Sequence, residues 1–154
     1  MRKLENLLDE YGESHQDETN KLVHWICVPV IFWSITALSW SLPIPIIEKT
    51  IVNNWCTLAL IPVTIYYLVL SWQLALGMLV FSIGCLLLNA IIEASFPGSL
   101  WKIALSLFVI AWIAQFWGHK IEGKKPSFLK DIQFLLIGPA WLLHFIYKRA
   151  NIAY

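Results

Sequence analysis

Trp55-Cys-Thr-Leu-Ala-Leu-Ile-Pro-Val-Thr-Ile-Tyr-Tyr-Leu-Val-Leu70 runs through Ser71-Trp72-Gln73 into Leu74-Ala-Leu-Gly-Met-Leu-Val-Phe-Ser-Ile-Gly-Cys-Leu-Leu-Leu-Asn-Ala-Ile-Ile92 without one Asp, Glu, Lys or Arg. A helical membrane span takes about 20 apolar residues, so this stretch is long enough for two. Ser71-Trp72-Gln73 leaves room only for a tight helical hairpin between them. Backbone inside a bilayer must satisfy its own hydrogen bonds. The stretch therefore predicts helices, and the chain reads as an all-α integral membrane protein.

Working outward, the second span covers roughly Ile51 to Leu70 and the third Gln73 to Ile92. Downstream, Pro97 and Gly98 break the chain, and a fourth span runs from about Leu100 to Trp117. Upstream lies a loop with Pro43, Pro45, Glu48 and Lys49, preceded by the first span, about Leu22 to Trp40, in which Pro29 predicts a kink. Trp40, Trp55, Trp72, Trp101 and Trp117 fall near these boundaries, where interfacial tryptophans gather. Leu4, Leu7, Leu8 and Tyr11 recur at helical spacing among charges. They predict a short amphipathic helix on the membrane surface, stopping near Gly12. The segment from Ile132 to Tyr147 is apolar but short, with Gly138-Pro139 at its centre. It reads either as a re-entrant segment or as a fifth apolar helix.

Composition agrees. The chain has 154 residues, 58% of them hydrophobic, and a mean hydropathy of +0.66, which fits one membrane domain over 1–154. Met1 to Tyr11 is charged and lacks the apolar core of a signal peptide. A net charge of +1 says nothing about nucleic acid, and no basic run is long enough to suggest it as a partner. Cys27, Cys56 and Cys85 lie in or beside apolar spans without a Cys-x-x-Cys pair, and read as small buried hydrophobes.

With four spans, Arg2, Lys3, Lys21, Lys120, Lys124, Lys125, Lys130, Lys148 and Arg149 share one side, against Lys49 and Lys102 on the other. The positive-inside rule puts the first side, with both termini, in the cytoplasm. The membrane itself is either a bacterial inner membrane or that of the endoplasmic reticulum.

That topology brings two polar thresholds to one face: Tyr11-Gly-Glu-Ser-His15-Gln-Asp-Glu-Thr-Asn20-Lys-Leu-Val-His24, and Gln115-Phe-Trp-Gly-His119-Lys-Ile-Glu122. His15, His24 and His119 then lie at one depth, and converging imidazoles point to a metal site. His144 joins them only if the last segment turns back at Gly138-Pro139. On one unbroken helix, His15 and His24 would sit on opposite faces, since nine residues at about 100° each separate them by half a turn. A shared metal therefore requires a break between them. Asn20 shares a face with His24 and is placed either to cap the span or to orient the imidazole. Gln115 and Glu122 share one with His119, as further ligands or as partners that orient its ring. The other reading of each residue is interfacial polarity. Lys120, Lys124 and Lys125 are by default a lipid-facing basic cluster, and alternatively attract an anionic head group.

These two thresholds, with Val28-Pro29 after the first and Lys125-Pro126 after the second, resemble the 2-hydroxy fatty acid dioxygenases, small multi-spanning membrane proteins. The resemblance follows nearly the whole chain in order and spacing, but its specific residues are those two motifs. It implies an Fe(II)-dependent dioxygenase that shortens a 2-hydroxy fatty acid by one carbon with dioxygen. It also implies iron ligation by His15, His24 and His119, with His144 as a candidate fourth ligand. Substrate binding by Lys120, Lys124 or Lys125 and an apolar groove for the tail complete the expectation. The alternative is a non-enzymatic membrane protein that carries metal or haem, or acts as a scaffold. Fatty acid desaturases and hydroxylases need clustered histidine boxes, which four scattered histidines do not make.

Overall fold

The computed structural model describes residues 2–45, 48–126 and 133–154, so Lys130 and Ile132 lie outside the described residues. The regular structure among them is helical: α1 (Arg2–Glu13), α2 (Glu18–Ser41), α3 (Trp55–Leu70), α4 (Trp72–Ser95), α5 (Leu100–Glu122) and α6 (Phe134–Arg149).

Each boundary has a local cause. Asp17 caps α2, its carboxylate accepting from the backbone N–H groups of Thr19 and Asn20. The helix stops at Leu42, which precedes Pro43 and is extended, as residues before proline prefer to be. The Asn54 side chain accepts from the Thr57 N–H and starts α3. Ser71 alone breaks the long apolar run: it is extended, closes α3 through its N–H to the Tyr67 carbonyl, and caps α4 through its hydroxyl. Gly123 ends α5 in the left-handed region at φ 70, where a side chain would be strained.

Three helices, α2, α4 and α5, are long and apolar enough to cross a membrane, while α3 is apolar but shorter, at 16 residues. Their outer faces carry exposed Leu22, Ile26, Val69, Val80, Ile91 and Ile113. In water so much apolar surface is a liability, whereas in a bilayer it is a solvated face.

α2 packs along α5, α3 packs on α2 and α4, and α6 packs on α1, α2 and α4. The two larger core clusters lie at opposite ends of the bundle, with a small third one, Cys27, Ile31 and Ala111, between α2 and α5. At one end Leu4, Leu7, Leu8 and Tyr11 of α1 meet Val28, Tyr67, Leu74, Met78, Phe134, Ile137 and Trp141. At the other, Trp33, Ala37 and Trp40 meet Cys56, Cys85, Leu100 and Ala104. The start of α2, the α3–α4 hairpin and α6 thus share the first end. All three cysteines are free and buried.

Three expectations are corrected. The apolar face of α1 is not on the membrane surface: Leu4, Leu7, Leu8 and Tyr11 are buried against protein, chiefly α6. The C-terminal segment does not turn back at Gly138-Pro139 either, because α6 is one helix through both residues. Trp40 is also a core residue rather than an interfacial one.

Candidate metal centre

The break required between His15 and His24 is present. α1 ends at Glu13, the His15 N–H turns back to the Gly12 carbonyl, and α2 starts afresh at Asp17. The linker is pinned from across the bundle by Glu122, in the last turn of α5. One carboxylate oxygen accepts from the Gln16 N–H at 2.9 Å. The other accepts from the Asp17 N–H at 2.7 Å and the Asn20 amide at 3.3 Å. The Asn20 amide also donates to the Ser14 carbonyl. Lys124 donates to the Glu13 carbonyl and so closes the end of α1.

Close approach of α2 to α5 depends on Gly118. A Cβ there would lie 2.5 Å from the Asn20 side-chain oxygen, too close for any side chain to sit without displacement. The glycine lets His24 and His119 face one another.

The three rings form a compact group. Centroids of His15 and His24 are 4.1 Å apart, His15 and His119 4.9 Å, and His24 and His119 5.0 Å. One ligand nitrogen from each can be chosen so that all lie within 4.8 Å of one another. All three residues are buried, at 1%, 1% and 4% exposure. Tyr11 stacks flat on His15 at 4.3 Å, and Trp141 stands beside it at 5.4 Å.

The backbone fixes the tautomer of two of the rings. His15 Nδ1 lies 2.6 Å from the Tyr11 carbonyl and His24 Nδ1 3.0 Å from the Asn20 carbonyl. A carbonyl only accepts, so each Nδ1 carries the proton and each Nε2 keeps its lone pair. Among the described residues, His15 Nε2 and His119 Nδ1 are buried with no hydrogen-bond partner. Burial pushes the His15 imidazole down to about 4, so it is neutral near pH 7 and its lone pair is available. Buried lone pairs that converge on one point, with the N–H groups of His15 and His24 anchored, fit the donor set of a histidine metal site. The donor set fits a transition metal with open positions.

His144 stands apart from this group. Its Nδ1 pairs with the Tyr154 hydroxyl, and its ring lies against Phe145. Because α6 does not reverse, its imidazole is not carried to the other three. Asn20 orients His24 through its carbonyl, but the cap of α2 is Asp17.

From the histidines an apolar cavity of about 490 Å³ extends along α2, past Val28, Ile31, Phe32 and Ile35 to Thr36 and Ser39. Its walls come from α3 (Cys56, Ala59, Leu60, Val63), α5 (Trp112, Gln115) and the start of α6. α3 and α5 pack on α2 and α4 rather than on each other, and the cavity occupies the interval. Lys120, Lys124 and Lys125 are exposed and none lines it. Tyr11 and Gln115 do line it, and Tyr11 has no imidazole, thiol or carboxylate that would mark it in the sequence.

The profile of one protein family, described as 2-hydroxy-palmitic acid dioxygenase Mpo1-like, matches residues 1–150. The chain is similar to the 2-hydroxy-palmitic acid dioxygenase MPO1 of Saccharomyces cerevisiae, with 28% identity over 148 residues, 94% of this chain and 80% of the yeast protein. No solved structure matches it. A helical fold with membrane-length apolar helices, a buried histidine triad and a family match over almost its whole length place this chain in the Mpo1-like family.

Proposed function

We propose that this protein is an Fe(II)-dependent dioxygenase that shortens 2-hydroxy fatty acids by one carbon, working at the cytoplasmic face of the membrane it spans. The observation that carries the reading is the triad of buried imidazoles opening into a long apolar cavity. The name of the yeast relative supports the substrate class. His15, His24 and His119 are the residues that would hold the ion.

His15, His24 and His119 would hold iron(II), which would offer open coordination positions and a redox centre through which dioxygen can take electrons from the substrate. The protein supplies the rest. The carbonyls of Tyr11 and Asn20 hold two rings in the ligand tautomer, and Glu122 holds the linker that carries His15. The cavity takes the acyl tail and keeps bulk water from the histidines. It follows α2 from His24 to Ser39, about 22 Å of helix, more than the ~15 Å half-thickness of a bilayer core. Removing one carbon as carbon dioxide takes four electrons from R–CHOH–COOH. One dioxygen accepts them, giving R–COOH, carbon dioxide and water.

If α3 crosses together with the three membrane-length helices, the triad falls on the lysine-rich side, which the positive-inside rule assigns to the cytoplasm. Three rings with centroids 4.1 to 5.0 Å apart leave no slot for a porphyrin between them, which disfavours the haem-carrier alternative. Oxygen uptake with 2-hydroxypalmitate tests the proposal. The expected product is the acid one carbon shorter, and its absence under iron(II) and oxygen leaves a metal carrier or scaffold.

A further inference from the structure

Two polar side chains in the cavity wall have no task within the protein. Tyr11 is 6% exposed and Gln115 5% exposed, and both line the cavity beside the histidines. Among the described residues, neither the Tyr11 hydroxyl nor the Gln115 amide has a hydrogen-bond partner. Unlike the Asn89 carbonyl or the Trp33 indole, these atoms are not sealed inside the core. Buried tyrosines normally find a partner, and others here do. Tyr67 donates to the Leu136 carbonyl at 2.6 Å and Tyr147 to the Gln73 carbonyl at 2.7 Å.

Both groups are held close to the triad. The Tyr11 ring is fixed by its stack on His15. Its hydroxyl lies over Gly138, where a Cβ would come within 3.0 Å of it. Gln115 precedes His119 by one turn of α5, about 6 Å of rise. An unpaired polar group costs free energy in so apolar a cavity, and the pair persists where a ligand can satisfy it.

We propose that Tyr11 and Gln115 clamp the polar head of the substrate, the Tyr11 hydroxyl donating to a carboxylate oxygen and the Gln115 amide taking the 2-hydroxyl. The assignment rests on the 2-hydroxy-acid reading of the cavity. It follows from hydrogen-bond inventory: a carboxylate only accepts, which suits a phenol, whereas a hydroxyl both donates and accepts, which suits a carboxamide. The clamp also gives selectivity, because an acid without the hydroxyl leaves the buried amide unpaired. It replaces the lysines as the source of head-group recognition.

The test is equilibrium binding of radiolabelled 2-hydroxypalmitate and palmitate to iron-loaded full-length protein in detergent, with turnover measured in parallel. Wild-type protein should bind the hydroxy acid about ten-fold or more tightly than palmitate. Gln115→Leu should bring the two affinities together. Tyr11→Phe, which keeps the ring, should weaken both acids about ten-fold at unchanged iron content. If Gln115→Leu loses iron or folds poorly, Gln115→Asn withdraws the amide by one methylene and should narrow the same gap. Equal binding of the two acids by wild-type protein, or affinities unmoved in folded, iron-containing variants, would overturn the clamp. Selective binding without oxygen uptake would sink the dioxygenase reading while leaving the clamp standing.

Discussion

Glu122 accepts a hydrogen bond from the backbone N–H of Asp17 at 2.7 Å, joining the last turn of α5 to the cap of α2. With its bonds to Gln16 and Asn20, this contact fixes the break that lets His15 and His24 face the same point.

Glu122→Ala should therefore loosen the metal site without touching a ligand. Removing a partner that orients ligands typically costs 10- to 100-fold in metal affinity. Titration with iron(II) under nitrogen should show a loss of that order, and an unchanged affinity would mean that the linker holds its shape alone.

Gly118 is the second constraint on the same junction. Gly118→Ala puts a Cβ 2.5 Å from the Asn20 oxygen, and Asn20 is anchored by bonds to Ser14 and Glu122. Overpacking of this kind costs about 1–3 kcal/mol, read as a lowered thermal midpoint in detergent. Gly84→Ala in α4 meets nothing within 4 Å, so it should be neutral or stabilise by about 0.5–1 kcal/mol through helix propensity. Equal effects at the two glycines would contradict the tight α2–α5 packing.

The far end of the cavity predicts a limit on chain length. Ala59 lies there with Thr36, Ser39 and Cys56, so Ala59→Trp should fill it. Turnover of 2-hydroxypalmitate should then fall about ten-fold or more, while 2-hydroxyoctanoate is spared. A uniform loss across chain lengths would place the tail elsewhere.

His144→Ala should leave the iron content unchanged. Its Nδ1 is paired with Tyr154, and the three other histidines already form a closed group. Elemental analysis of the purified variant decides this, and loss of half the metal or more would return His144 to the ligand set.

Much of this arrangement is legible in the residues. The charge-free run from Trp55 to Ile92 forces helices, and Ser71 is where its hairpin turns. Helix phase alone demands a break between His15 and His24, and parity of the spans brings His119 to the same end. What escapes the sequence depends on partners far away in the chain. The leucine stripe of α1 looks the same whether lipid or α6 covers it, because periodicity reports one apolar face and not its neighbour. The polar run Glu13-Ser-His-Gln-Asp-Glu-Thr-Asn20 holds several residue types that can cap a helix, and the hold of distant Glu122 on the Gln16 and Asp17 N–H groups at the break is not written in it. Tyr11 and Gln115 become cavity residues because α3 and α5 stand apart on α2, a spacing no local pattern encodes. Lysines near a boundary have the right charge for an anionic head, yet theirs is an exposed position.

The most direct measurement is the metal content of protein purified without oxygen from iron-supplemented cells. One iron per chain is expected in the wild type, with near-complete loss in His15→Ala, His24→Ala and His119→Ala. A folded wild-type protein that holds no transition metal, or alanine variants that keep the full complement, would contradict a histidine-held iron centre.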